Sequence, residues 1–185
     1  MNRTFLLLFR DLPIDRASVR RGENSPVVVT AARAVNVALF LSNDLRRDVT
    51  VCIGISAQSE WKIISFPGLT IRRVSPDERS ITFFLLKAME KLNDMASRSH
   101  YIMDNGIELS KTQLDQFISK GNYKVYISNG NNNSTDFLDY AADSLLIYQI
   151  DTEYAFERAD YLSISKPRTP ERFILDINLA FDSKE

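Results

Sequence analysis

Short apolar runs that read as strands alternate with helical patterns along this chain of 185 residues. The run RTFLLLF at residues 3–9 predicts a short buried strand, and the β-branched run DVTVCIGI at 48–55 predicts another. Between them, Ser25-Pro26 opens a helix whose apolar residues recur near a period of 3.6. This alternation predicts an α/β domain with a mostly parallel sheet that helices cover on both faces.

The rest of the chain continues the alternation. Further strands are predicted at WKIISF and LTIRRV, which a Pro67-Gly68 turn would join, and at GIELS, YKVYIS, SLLIYQI and YLSIS. Helices are predicted from Pro76 to about Ala96, after the capping-box spacing of Ser110 and Gln113, at DFLDYAA, at TEYAFERA, and from Thr169-Pro170 onward. No repeat and no interdomain linker is visible, so residues 1–185 are predicted to form one domain.

The stretch VSPDERSITFFLLKAMEKL contains a strong helix start. Ser75 is the predicted N-cap, Pro76 suits the first helical position, and Glu78 follows Ser75 by three residues, as in a capping box. This explanation leaves out Arg79 and Ser80. The segment is therefore either a helix start alone or a helix start that also contacts a ligand.

The two halves of the chain differ in charge. Residues 1–98 carry 15 Lys and Arg against 10 Asp and Glu, whereas residues 99–185 carry 8 against 14. Twelve of those 15 cations are arginine, whose planar fork suits phosphate. The excess of positive charge in residues 1–98 either indicates an anionic partner such as nucleic acid or is scattered surface charge.

Several classes of site are disfavoured by composition. A single cysteine and a single histidine, Cys52 and His100, offer neither a disulfide framework nor a clustered metal site, so no metal is expected. GxGxxG, GxxxxGK[ST] and a credible Ser-His pair are missing. The apolar run at 5–9 is too short for a signal peptide or a membrane span, so we expect a cytoplasmic protein without membrane contact.

Three segments, in order along the chain, resemble one family. They are NVALFLSNDLRRDVTV at 36–51, LTIRRVSPDERSITFFLLKAME at 69–90 and NGIELSKTQLDQFI at 105–118. They resemble the archaeal tRNA pseudouridine-54 N1-methyltransferases of the SPOUT, or trefoil-knotted, class. The resemblance is good from about Phe5 to Phe117 and thin beyond. It implies a SPOUT-type knotted fold, with the knot and cofactor region at about 123–185, and a homodimer that uses tRNA.

The resemblance also implies an S-adenosylmethionine site in the carboxyl-terminal third. The adenine would lie between loops that follow Ile127, Ile150 and Ser165. The implied cofactor-binding residues are Ile127, Gln149, Ile150, Ser163, Ile164, Ser165, Lys166 and Phe173. The family's glycine-containing segments are not matched here, and no glycine follows Gly130. Added Cβ atoms could crowd a narrow pocket, so cofactor loss remains an alternative.

On the RNA side, the resemblance implies a groove in which arginines contact phosphates. The implied RNA-binding residues are Arg46, Arg47, Arg72, Arg73, Arg79 and Ser80. A carboxylate near the target nitrogen would accept its proton, and Asp77 is the candidate catalytic residue. Two other functions remain open: a knotted RNA-binding protein that no longer binds the cofactor, and a methyltransferase for another RNA, such as ribosomal RNA.

The last helix bears on assembly. It carries Phe173, Ile174, Ile177 and Phe181 on one face. By itself this pattern is compatible with packing in the chain's own core or against a second copy, since both bury an apolar face.

Overall fold

Strands and helices alternate along the chain, and the computed structural model describes residues 1–130, 138–156 and 160–184. The strands are β1 (Arg3–Phe9), β2 (Phe40–Leu41), β3 (Asp44–Leu45), β4 (Val49–Ala57), β5 (Glu60–Pro67), β6 (His100–Ile102), β7 (Glu108–Thr112), β8 (Lys124–Gly130), β9 (Ser144–Gln149) and β10 (Leu162–Ser165). The helices are α1 (Arg16–Arg21), α2 (Pro26–Leu39), α3 (Glu78–Asp94), α4 (Leu114–Ser119) and α5 (Pro170–Asp182).

Eight of these strands form one sheet in the order β10-β8-β9-β1-β4-β5-β7-β6. The first five are parallel to one another, and the last three are antiparallel to their neighbours. Strand β1 lies inside the sheet, between β9 and β4, and all seven of its residues are buried. The predicted α/β class with a mostly parallel sheet is therefore confirmed.

The two faces of the sheet are covered unequally. Phe5, Leu7 and Phe9 point into the larger core cluster, which also contains apolar residues of α2, α3 and α5. Leu6 and Leu8 point to the opposite face, where residues of α4 form a smaller cluster with the rings of Tyr154, Phe156 and Tyr161. Alternate residues of one strand thus enter two cores, which explains why its sequence is continuously apolar.

The apolar face of α5 lies in the chain's own core. Phe173, Ile174, Ile177 and Phe181 are all at most 5% exposed. The Phe173 ring packs edge-on against Phe5, with 6.2 Å between ring centroids. Of the two readings that the sequence left open for this face, packing in the core is the observed one.

A buried arginine ties the end of α5 to the start of the sheet. Arg3 is 2% exposed, and its guanidinium binds Asp48 at 2.5 Å and Asp182 at 3.2 Å. Arg46 binds the second carboxylate oxygen of Asp182 at 2.8 Å. The Arg3 guanidinium also lies 5.0 Å from the centre of the Phe181 ring. The two guanidinium groups also interact favourably with the negative end of the helix dipole at the carboxyl end of α5. The cluster therefore holds this helix end in place.

The predicted LTIRRV strand is wrong. Strand β5 pairs antiparallel with β4, and a turn between Ala57 and Glu60 joins the two strands. Strand β5 ends at Pro67, and the chain leaves the sheet after Gly68. Gly68 donates its N–H to the Val49 carbonyl at 2.8 Å, and a Cβ there would lie 2.0 Å from the Arg46 carbonyl oxygen. Arg73 has a φ of 59°, which no strand accommodates.

Four helix predictions also need correction. The N-cap of α3 is Asp77 and not Ser75, because the Asp77 carboxylate accepts the Ser80 N–H at 2.8 Å. Ser110 lies in β7 rather than in a capping box. Residues 138–142 and 152–156 are not helical, and the rest of those two predicted helices lies outside the described residues. Finally, α1 lies between Phe9 and Ser25, where no helix was predicted.

We expect Asp182→Ala to lower the free energy of unfolding by about 1–3 kcal/mol, because it deprives the buried Arg3 guanidinium of one of its two carboxylates. The matched control is Asp176→Ala, on the same helix, whose partner Arg172 is exposed. That exposed pair should contribute only about 0.3–0.5 kcal/mol. Urea denaturation of both variants measures the difference, and equal losses would contradict a stabilising role of the buried cluster.

Candidate functional site

The three loops implied to hold the cofactor begin at one edge of the sheet. Strands β10, β8 and β9 are adjacent and parallel, so their carboxyl ends lie side by side. In open α/β sheets, ligands bind outside the carboxyl ends of the strands. We call this group of loop starts, after Gly130, Gln149 and Ser165, the carboxyl edge. These loop starts lie side by side in the sheet, in the part of the chain where the resemblance implies the cofactor site.

Hydrogen bonds join β10 closely to β8 at this edge. The Ser128 hydroxyl donates to the Ser165 carbonyl at 2.6 Å, and the Lys166 N–H donates to the Gly130 carbonyl at 3.1 Å. The Ser163 hydroxyl hydrogen-bonds the Asn129 side-chain oxygen. A Cβ at Gly130 would lie 2.9 Å from that Ser163 hydroxyl, so the last glycine of the chain allows this close approach.

The side chain of Gln149 closes the loop that follows β9. Its amide nitrogen donates to the Tyr154 carbonyl at 3.2 Å, and its amide oxygen accepts the Tyr154 N–H at 2.5 Å. The Tyr154 hydroxyl in turn reaches the Asp115 carboxylate on α4 at 3.0 Å. Gln149 therefore braces the loop and holds its backbone in place, a role that its position alone did not predict.

The segment after β10 crosses the end of β9. The Tyr148 hydroxyl donates to the Pro167 carbonyl at 2.7 Å, and the Lys166 ammonium lies 5.5 Å from the centre of the Tyr148 ring. Burial, followed by the nearby Glu171 carboxylate, raises the pKa of Tyr148, so its hydroxyl stays a donor at neutral pH. Neither Tyr148 nor Pro167 was a candidate from the sequence.

Two clefts flank the Lys166-Pro167 segment. One of about 350 Å³ lies against β9 and includes Gln149 and Ile150; the other, of about 640 Å³, lies against α5 and includes Ile164 and Phe173. Both volumes fall within the usual range of small-molecule sites. Ile127 does not face either cleft, because its side chain belongs to the core cluster on the α4 side. Only its main chain could approach a ligand at this edge.

The missing glycines do not strain the described loops. Among the described residues, the non-glycine residues with positive φ are Asn43, Gln58, Arg73 and Arg98. None of these lies in 138–156 or 160–184. The described parts of the loops after Gln149 and Ser165 thus adopt φ values that any residue can adopt, and their backbone does not require glycine.

The candidate RNA-binding residues gather at the opposite edge. Arg47 donates to the Gly68 carbonyl at 3.0 Å, next to the start of β4. The Arg72 N–H and the Arg73 guanidinium donate to the Asn105 and Asp104 carbonyls, at 2.8 and 3.4 Å. We call this group of Arg46, Arg47, Arg72, Arg73 and Arg79 the arginine edge. Arg46 differs from the others, because it is 14% exposed and already paired with Asp182.

Asp77 and Ser80 lie at the same edge and have structural partners. The Asp77 carboxylate caps α3, and the Ser80 hydroxyl accepts the Ser75 N–H at 2.9 Å. The Pro76 carbonyl accepts from Asn36, near the carboxyl end of α2, at 2.7 Å. Because α2 runs antiparallel to β1 and β4, this contact places Asp77 at the amino ends of the parallel strands. Within one chain, Asp77 is thus separated from the carboxyl edge by a strand length, roughly 20 Å.

The described part of the chain contains neither a metal-binding cluster nor an ionised thiol. No group of three or more His, Cys, Asp or Glu residues among those described could hold a metal ion. Burial raises the pKa of Cys52 to about 12, so this thiol stays protonated. His100 is exposed and lies 3.5 Å from Glu108. Within the same residues, no helix is both long and apolar enough to cross a membrane.

Comparison with solved structures supports the fold. The crystal structure of Archaeoglobus fulgidus Nep1 bound to S-adenosylhomocysteine superimposes with a TM-score of 0.60, covering 99% of this chain and 98% of that one. Because the two sequences are only 13% identical, this likeness concerns the fold alone. It includes the carboxyl-terminal third, where the sequence resemblance was thin.

Comparison with sequences supports the family. The tRNA (pseudouridine(54)-N(1))-methyltransferase of Methanococcus maripaludis strain C5 is 35% identical over a 147-position alignment that covers 72% of this chain and 73% of that protein. Its counterpart in strain C6 is 39% identical over 90 residues, which are 48% of this chain and 43% of that protein. A family model described as putative SAM-dependent RNA methyltransferase matches residues 27–136. This chain belongs to that family of RNA methyltransferases.

Proposed function

We propose that this protein transfers a methyl group from S-adenosylmethionine to N1 of pseudouridine in the T-loop of cytoplasmic tRNA. The observation that carries the proposal is family membership together with the three adjacent loops at the carboxyl edge. The two relatives named above are pseudouridine-54 methyltransferases, and Nep1 was solved with S-adenosylhomocysteine.

The carboxyl edge is the proposed cofactor site. S-adenosylmethionine, when bound, supplies a methyl group on a sulfonium, which is a good leaving group. Main-chain groups near Ile127, Ile150 and Ile164 would hold the adenine, in loops that Gln149 and the Ser128–Ser165 hydrogen bond brace. Their task is to align the methyl group and exclude water, since alignment supplies much of the rate in such a transfer.

The second requirement is removal of the N1 proton of the target base. The Asp77 carboxylate is exposed at the start of α3, and in the proposed mechanism it accepts that proton as the new N–C bond forms. The arginine edge would hold the phosphates on either side of the target nucleotide, which must leave its stack to react. Asp77 and the cofactor loops then have to meet, although one chain keeps them at opposite edges.

A homodimer would satisfy this requirement, because a second copy can place its arginine edge against the first copy's carboxyl edge. Leu175 and Leu179, 41% and 56% exposed on the outer side of α5, offer apolar surface for such a contact. We also propose that α5 passes through the loop between β8 and β9 to form a trefoil knot. That threading depends on residues 131–137, which lie outside the described residues, and an experimental structure of that loop would test it.

The function is tested by incubating purified protein with S-adenosylmethionine and tRNA that contains pseudouridine 54, followed by nucleoside mass spectrometry. We expect N1-methylpseudouridine to appear and calorimetry to detect cofactor binding. Wild-type protein that binds tRNA but gives no heat with millimolar S-adenosylmethionine would instead support the RNA-binding homologue without a cofactor. Methylation of ribosomal RNA but not tRNA would reassign the substrate.

The role of Asp77 can be separated from its role as a helix cap. Asparagine also caps helices, so Asp77→Asn should retain stability while methylation falls by roughly a hundredfold or more, as expected for a lost general base. Asp77→Ala should lose the activity and also about 1 kcal/mol of stability. Light scattering is expected to show a dimer for both. A monomeric, fully active wild type, or an unchanged rate in Asp77→Asn, would refute this arrangement.

The arginine edge makes a separate prediction about RNA affinity. Arg47→Gln and Arg79→Gln should each weaken tRNA binding and reduce the slope of log affinity against log salt by about one, because each loses one phosphate contact. Arg172→Gln, whose side chain pairs with Asp176 on the exposed side of α5, is the control and should leave the slope unchanged. If all three variants bind tRNA like the wild type across a salt series, the RNA lies elsewhere.

A further inference from the structure

Helix α3 carries a basic and aromatic row on its exposed side. Arg79, Phe83, Lys87 and Lys91 follow one another at intervals of four residues, and all four are exposed. Side chains four residues apart form one ridge along a helix, so these residues lie nearly in line. At 1.5 Å per residue the row is about 18 Å long. It begins at the arginine edge and runs away from it along the helix.

The far end of this row borders a cleft beside the edge strand β6. The cleft has a volume of about 400 Å³ and is lined by residues that include Arg73, Lys87, Lys91 and Tyr101. Tyr101 is 40% exposed, and the Lys91 ammonium lies 4.4 Å from the centre of its ring. Lys87 lies 5.8 Å from the ring of Phe83, which is 45% exposed. Cations and exposed rings thus alternate along the same surface.

Acidic groups at this surface do not cancel its charge. Glu90 binds Arg16 at 2.5 Å and lies 3.4 Å from Lys87, so its carboxylate is shared between two cations. Asp104 lines the cleft, with its carbonyl in contact with Arg73. In the row itself and the residues that line the cleft, Arg73, Arg79, Lys87 and Lys91 stand against the single carboxylate of Asp104. The surface remains cationic and favours an anionic partner.

We propose that the α3 row and the β6 cleft, here called the α3 track, are a second RNA contact that binds a stretch of the tRNA beyond the nucleotide to be modified. Lysines along the row hold backbone phosphates, and Tyr101 stacks on an unpaired base. Exposed aromatic rings between cations suit RNA, because bases stack on rings while phosphates pair with the cations. An acidic protein segment would use the lysines but would not need the exposed rings of Phe83 and Tyr101. The inference rests on the proposed action on tRNA.

Binding of tRNA across a salt series tests the α3 track. Lys87→Gln and Lys91→Gln should each reduce the salt slope by about one, and the double variant by about two. Tyr101→Ala should weaken binding about five- to a hundredfold, whereas Tyr101→Phe keeps the ring and should bind like the wild type. Lys120→Gln removes the same charge from an exposed position at the end of α4, on the opposite face of the sheet, and should change little.

Calorimetry with S-adenosylmethionine on the same preparations separates this inference from the proposed function. All α3-track variants should bind the cofactor and melt like the wild type. Cofactor binding together with unchanged tRNA affinity and slope in the lysine variants would overturn the track and leave the function intact. If Lys120→Gln reduces tRNA affinity and the salt slope as much as the α3-track lysine variants do, the effect is nonspecific charge attraction and the α3 track is overturned. Lysine effects without a Tyr101→Ala effect would overturn the stacking role and reduce the track to a phosphate contact.

Discussion

The fold depends on one strand that is buried on both sides. Strand β1 pairs with β9 and β4 in parallel, and its alternate side chains enter the two core clusters. A strand in this position cannot expose a polar side chain to water from either face, so its apolar sequence follows from its place. The exceptions are Arg3 and Thr4 at its start, and the buried Arg3 is bound to Asp48 and Asp182. Through that contact, the strand that organises the sheet also anchors the last helix.

The parallel arrangement also separates the two functional edges. Loops that follow parallel strands gather at one end of the sheet, while the segments that enter those strands gather at the other. The loops after β8, β9 and β10 lie at the carboxyl edge, and the arginines before β4 and before α3 lie at the opposite end. A reaction that uses both groups of residues needs either a second copy or a substrate long enough to span them. The α3 track runs from the arginine edge along the helix and enlarges the surface available to such a substrate.

The carboxyl edge shows how a loop without glycine can still be well defined. Gln149 makes two hydrogen bonds to the Tyr154 backbone, and Tyr148 makes one to the Pro167 carbonyl. Side-chain amide and hydroxyl groups here do what a tight glycine turn does elsewhere, because they satisfy loop main-chain groups without positive φ. Gly130 remains where an added Cβ would lie 2.9 Å from the Ser163 hydroxyl. The described loop backbone is therefore not strained by the lack of glycine.

Hydrophobic periodicity in the sequence predicted the α/β class, because that pattern is local. The resemblance of three segments indicated the family and implied that the loops after β8, β9 and β10 lie together. The sequence could not determine the cap of α3, where Asp77 displaced an equally plausible Ser75, or the irregular path after Gly68, where close packing against the Arg46 carbonyl overrides β-propensity. Nor could it show that Arg46 is paired with Asp182, 136 positions away in the numbering of the chain. Only the tertiary structure decided that Asp77 and the cofactor loops lie at opposite edges, because that distance depends on the direction in which α2 and α3 return across the sheet.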